Sequence, residues 1–185
     1  MSLLPISTNT YDAFRTDALN RASQGLGYDV DGFYGMQCWD LAAELWQNIG
    51  FGGGYPVTGA NHYASECWTN SKEINKGTEF DLIYDVTALK RGDVIVLDAS
   101  PISSTGHIAF CDENYNGTNR MNLLGQNQVD PSPTVGHIPT VTNLSISAFL
   151  GAFRYHAWQY EKPPRKTHFK WVLYARKLNE NRNKM

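Results

Sequence analysis

Between Cys38 and Ile49 the apolar residues fall at Cys38, Leu41, Ala42, Leu45, Trp46 and Ile49, and Gly50 follows. That i, i+3, i+4, i+7 spacing gathers them into one stripe of a helix, and the stripe requires a surface to pack against. Gly50 suits the left-handed residue that ends such a helix. The first residue of the stripe is a cysteine. In a first helical turn, N–H groups without intrahelical partners and the positive end of the helix dipole favour a thiolate. A cysteine on the apolar side of a helix is also often just a small buried hydrophobe. Its chemistry therefore depends on what the rest of the chain brings to it.

Upstream, Tyr11, Phe14, Ala18, Leu19 and Ala22 keep helical spacing over residues 10–24. Downstream the pattern changes. After a Gly-rich aromatic loop (Phe51 to Pro56), a short helix is expected near Asn61–Thr69, and then strands take over. Val94 to Leu97 is a β-branched run after the turn Lys90-Arg91-Gly92-Asp93. His107 to Cys111 and Arg120 to Leu124 read as strands of one hairpin, joined by Asn114-Tyr115-Asn116-Gly117. Residues 145–158 supply a final strand. The body is thus expected to be α+β, with N-terminal helices packed on an antiparallel sheet.

Two of these strands carry polar groups that can serve a thiol. In Gly106-His107-Ile108-Ala109-Phe110, alternation places His107, Ala109 and Cys111 on one face, and Ile108 with Phe110 on the other. In Leu124-Gly125-Gln126-Asn127-Gln128, an amide at the end of the neighbouring strand can hydrogen-bond one imidazole nitrogen and fix its tautomer. A histidine opening a buried strand is often only a core residue, and asparagine ends many strands for turn reasons. Cysteine at a helix start, histidine on a sheet and amide on the next strand have a logic together that none has singly.

The order YGMQCWDLA, RGDVIVLD, TGHIAF, LGQNQ resembles the CHAP domain, a family of cysteine- and histidine-dependent amidohydrolases and peptidases with a papain-like fold. The resemblance spans about residues 10–158. It implies Cys38 as nucleophile, His107 as general base and then acid, and Asn127 as the residue that orients His107. Some members carry a glutamate two residues before that asparagine; here Gly125 stands there, so either Asn127 acts alone or Gln126 shares the task. Backbone N–H groups at the helix start are the natural oxyanion donors. The Gln37 side chain is a further candidate donor, with helix capping or solvent exposure as its other readings. The family's substrate is bacterial peptidoglycan, cut as an N-acetylmuramoyl-L-alanine amidase or as an endopeptidase. The resemblance further implies a phage-encoded lysin, made in the host cytoplasm without a signal peptide, acting at the cell wall either free or as part of a virion. A non-catalytic CHAP-like structural or binding module of a phage particle is the alternative, and an NlpC-type peptidase is a neighbouring one.

The loop ahead of Cys38 has its own pattern. With Asp29 as position 1, Asp31 is 3, Phe33 is 5, Gly35 is 7 and Asp40 is 12, the ligand spacing of an EF-hand calcium loop. The fit is partial. Gly32 and Gly35 flank the usual glycine position, Phe33 offers only its carbonyl, and Asp40 is shorter than the usual glutamate. Turn formation and helix capping by Asp29 and Asp31 are the plainer reading. Phage members of the family with a calcium site of this spacing favour a structural Ca2+ here.

Composition closes the frame. The three cysteines leave at least one unpaired, so the chain is no disulfide scaffold, and packing suits Cys67 and Cys111. Residues 161–185 hold eight basic against two acidic residues, a net +6, which leaves −8 for residues 1–160. The domain reading is therefore a catalytic body at 1–160 and a basic tail at 161–185 after the stiff joint Pro163-Pro164. Docking on the acidic body, binding anionic wall polymer and anchoring to other virion proteins are the uses open to that tail, with protein docking favoured. Neither nucleic-acid binding nor membrane insertion is expected, since no apolar run approaches ~20 residues. Tyr55, His62, Tyr63 and Trp68 are candidates to line a substrate groove.

Overall fold

The computed structural model describes residues 6–50, 62–75, 79–99 and 103–159, the side chains of 71–75 and 159 aside. The Gly-rich loop, Tyr55 and the basic tail lie outside the described residues. Helix α1 (Tyr11–Ala22) begins where Thr10 Oγ1 accepts the Ala13 N–H at 3.0 Å, and it buries Tyr11, Phe14 and Ala18. Helix α2 (Cys38–Asn48) buries Leu41, Ala42, Leu45 and Trp46 along the expected stripe, and Gly50 closes it at φ 68°. Helix α3 (Glu66–Asn75) starts later than the sequence pattern suggested.

Six strands form one antiparallel sheet: β1 (Phe80–Ile83), β2 (Val94–Leu97), β3 (His107–Cys111), β4 (Arg120–Gly125), β5 (Thr140–Ser145) and β6 (Phe149–Tyr155), in the order β1-β6-β2-β3-β4-β5. The β3–β4 hairpin turns at Asn116-Gly117. There the Asn116 side chain accepts the Thr118 N–H and Gly117 takes φ 83°. A single helical turn, α4 (His156–Gln159), ends the described chain. The edge strands β1 and β5 were not anticipated. The first is four residues long, and the second reads Thr-Val-Thr-Asn-Leu-Ser with only Leu144 buried, too polar to stand out as a strand.

Strand alternation divides the core in two. Val94, Val96, Ile108, Phe110, Leu124 and Phe153 face the helices and meet Phe14, Leu41, Trp46 and Trp158. Ile95, Ala109, Cys111, Met121, Leu123 and Ala152 face the other way, under Ile83, Leu89 and Ile146. Trp46 stacks on Phe80 with ring centroids 4.2 Å apart, locking α2 to the edge strand. Cys67 and Cys111 fall in opposite halves of the core, and none of the three cysteines is in a disulfide.

One buried ion pair crosses the sheet. Arg154 holds Asp93 through Nε at 2.8 Å and a terminal nitrogen at 2.7 Å, while Asp93 also accepts the Lys90 N–H and Arg154 reaches the Ala88 carbonyl. Burial alone would push Asp93 toward its neutral form, and the guanidinium opposes that. Arg154→Met should therefore destabilise the protein by about 3–5 kcal/mol in urea denaturation, because it strands a buried carboxylate. A loss below about 1 kcal/mol would show that Asp93 escapes to solvent or takes up a proton at little expense.

Candidate active site

The start of α2 is defined by one buried carboxylate. Asp40, only 1% exposed, accepts the Val30 N–H on Oδ1 at 2.7 Å and the Gln37 N–H on Oδ2 at 2.8 Å. The second bond caps the helix, and the first fastens the preceding loop to it. Gln126, fully buried at the end of β4, completes the clasp. Its Oε1 takes the Tyr28 N–H at 2.7 Å, and its Nε2 gives to the Tyr28 and Gln37 carbonyls.

Cys38 is thereby held against β3 while keeping partial access to solvent. The β3–β4 pairing runs only through Phe110 and Cys111. Ile108 lies beyond the paired stretch, and its N–H reaches the Cys38 thiol. Helix position alone predicted a depressed thiol pKa. The opposite is found: burial pushes it up to about 11, with Asp40 adding to the rise and the N–H groups of Ile108, Trp39 and Cys38 pulling against it. The resting group is a thiol.

His107, 4% exposed, opens β3 beside Ile108. Burial lowers its pKa to about 4, partly countered by one hydrogen bond, from Nε2 to Gln128 Oε1 at 3.2 Å. That bond corrects the sequence assignment. The amide on His107 belongs to Gln128, not to Asn127 or Gln126. Asn127 adopts φ 51°, and its Nδ2 gives to Gln37 Oε1 at 2.7 Å and to the Ser132 carbonyl at 2.8 Å, while its Oδ1 takes the Ser132 N–H. It closes the 127–132 turn and ties that turn to the helix start. Gln37 is corrected as well. Its Nε2 gives to the Tyr34 and Ser132 carbonyls, so its amide is committed to loops rather than to an oxyanion.

Ahead of the helix, carboxylate oxygens of Asp29, Asp31 and Asp40 come within 4.8 Å of one another. Burial, with the charges of Asp31 and Asp29 adding to it, raises Asp40 to about 7. Three converging hard oxygens under mutual repulsion are a donor set that fits a divalent cation such as calcium. Phe33 at position 5 is exposed. The Gly35 carbonyl at position 7 already takes the Gln37 N–H at 2.8 Å, so the three carboxylates carry the fit. A cleft of about 450 Å³ runs beside them, between Phe33, Tyr34, Trp39 and His62. His62 thus lines a groove as the sequence suggested. Trp68 is in the core, Tyr63 is exposed, and a larger open groove at Tyr84, Tyr115 and Phe149 is lined by no residue of the site.

Comparison with known proteins gives a consistent picture. The CHAP domain family model matches residues 27–127, more than half of the 185-residue chain. The D-alanyl-L-alanine endopeptidase of Streptococcus phage B30 is 32% identical over 107 residues, covering 57% of this chain and 23% of that protein. The crystal structure of the endolysin LysIME-EF1 shares the fold, with a TM-score of 0.57 at 24% identity over 76% of this chain and 63% of that one. The chain therefore spans under a quarter of the curated relative and under two thirds of the solved endolysin.

The histidine makes a measurable prediction. Between its ordinary value of 6.5 and about 4, the unfolded chain takes up a proton that folded His107 refuses. Its contribution is complete above pH 6.5 and falls by about 3 kcal/mol as pH drops to 4. Asp40, raised to about 7, acts in the opposite sense over the same range. The difference in stability between wild type and His107→Gln isolates the histidine and should shrink from pH 7 to pH 4.5. A difference independent of pH, or an NMR midpoint for His107 near 6.5, would contradict the buried neutral ring.

Proposed function

The chain belongs to the CHAP domain family, and we propose that Cys38 and His107 hydrolyse an amide bond of bacterial peptidoglycan by acyl transfer. The observation that carries this reading is the seating of the Cys38 thiol, at a helix start, against the N–H of Ile108, the residue that follows the buried His107 along β3. A thiol and a neutral imidazole at rest imply a general-base start. The Cys38 proton passes to His107 as Sγ attacks the substrate carbonyl. His107 then gives that proton to the departing amine as the C–N bond breaks, leaving a thioester. Water attacks the thioester, its proton goes to His107, and the thiol is reformed. The Cys38 N–H and its neighbours at the helix start receive the developing oxyanion.

The phage endopeptidase relative supports a peptide bond of the wall as the target, and it supports a phage-encoded lysin as the biological setting. Asp29, Asp31 and Asp40 would hold a structural calcium ion. Bound there, the cation would neutralise repulsion among the carboxylates. Asp40 would then keep both N–H groups that set the start of α2.

Cys38→Ala and His107→Ala should each reduce fragment release from purified cell walls by about 10³-fold or more, with folding intact. Mass analysis of wild-type fragments names the bond. Walls left whole by the wild type in calcium would overturn the hydrolase and favour a binding module. Dialysis against EDTA should lower both Tm and turnover, calcium should restore both, and Asp31→Asn should remove the difference. An unchanged Tm and rate would remove the metal from the account.

A further inference from the structure

We propose that Gln128 is the positioning residue of His107, and that Gly125 is a glycine in order to leave room for its amide. The proposal rests on the reading of His107 as the base. Gln128 is only 4% exposed, and its Nε2 gives to the Leu123 carbonyl at 2.9 Å, the Thr140 carbonyl at 2.8 Å and Thr140 Oγ1 at 3.2 Å. Carbonyls accept only, so the amide nitrogen must face them. Oε1 is then the atom that faces His107, 3.2 Å from Nε2. Facing an acceptor, Nε2 carries the ring proton, and Nδ1 is left with the lone pair that a general base requires. Two strands, β4 and β5, thus choose the tautomer through one side chain.

The space for this amide comes from Gly125. A Cβ on residue 125 would stand 2.6 Å from Gln128 Oε1 and 3.1 Å from Ala109 Cβ. Gly125 has no left-handed backbone angle, so room is the reason for the glycine. The turn explains how residue 128 reaches this place. Regular alternation would send Gln128 to the face opposite Gly125. Asn127, at φ 51°, breaks the alternation and returns the next side chain beneath the strand. A side chain growing from residue 125 and the amide arriving from residue 128 compete for one volume, and this chain uses the second.

The test uses the full chain with 15N-labelled histidine, read by long-range imidazole NMR and by wall hydrolysis. Wild type should show His107 as the Nε2–H tautomer. Gln128→Leu should lose that preference, with kcat falling about 10- to 100-fold and KM little changed. Because Gln128→Leu also removes the bonds to Leu123 and Thr140, Gly125→Ala is the second variant. It keeps the amide but displaces Oε1, and it should give the same tautomer shift. The exchange Gly125→Glu with Gln128→Ala, which supplies an acceptor from the strand instead, should recover the tautomer and most of kcat. An Nδ1–H ring in wild type would overturn the proposal, as would tautomer and kcat unaltered in Gly125→Ala. If wild type proves inactive on walls, the hydrolase reading fails while the tautomer result still decides the role of Gln128.

Discussion

Two N–H groups meet on the Asp40 carboxylate, one from the loop at Val30 and one from Gln37 at the helix start. The rest of the site depends on that meeting. It sets where α2 begins, and so where the Cys38 thiol lies along β3. Gln126 repeats the arrangement from the sheet side by binding Tyr28 and the Gln37 carbonyl. Asn127 joins from the following turn by binding the Gln37 side chain. The helix start is therefore fastened to the end of β4 by two consecutive residues, Gln126 and Asn127. Among the described residues no buried side-chain nitrogen or oxygen lacks a partner.

The clasp also explains the charge state of the pair. A helix N-terminus contributes about 0.3–1 kcal/mol toward an anion. One pKa unit corresponds to about 1.4 kcal/mol, so the dipole moves a thiol by less than one unit. Burial against β3 raises Cys38 from 9.0 to about 11 and lowers His107 to about 4. Desolvation wins on both groups, and a resting thiolate–imidazolium pair is disfavoured. A neutral amide on His107 is in keeping with this balance, because an amide orients the ring without a full charge to hold it protonated. The acidic loop meets the clasp at Asp40, the carboxylate on which a cation would act first.

Much of this was legible along the chain because it is carried by local periodicity. The stripe from Cys38 to Ile49, the stop at Gly50, the capped α1 and the Asn116-Gly117 hairpin all rest on residues within a few positions of one another. The strands β1 and β5 were not legible, since edge strands need not be apolar and the partner of β1 is distant in sequence. The carboxylates at Asp29, Asp31 and Asp40 were readable as a spacing, and the fold brings them to one place. Among the amides, the reading failed for a definable reason. Asn127 was assigned to His107 from the resemblance, and its left-handed backbone, which turns Gln128 back under the strand, could not be read from the motif. Gly125 was the available signal: a missing side chain beside a histidine leaves a volume that some neighbouring polar group must fill.

By itself, then, the sequence determined a cysteine at the head of an amphipathic helix, a histidine at the head of a strand and an acidic loop before the helix, because helix and strand periods are local. Tertiary structure alone decided that Gln128 meets His107, that Gln37 is occupied elsewhere and that the thiol is protonated at rest. Those outcomes turn on burial, on one left-handed backbone angle at Asn127 and on the room left by Gly125, and each of these arises only when distant segments pack together.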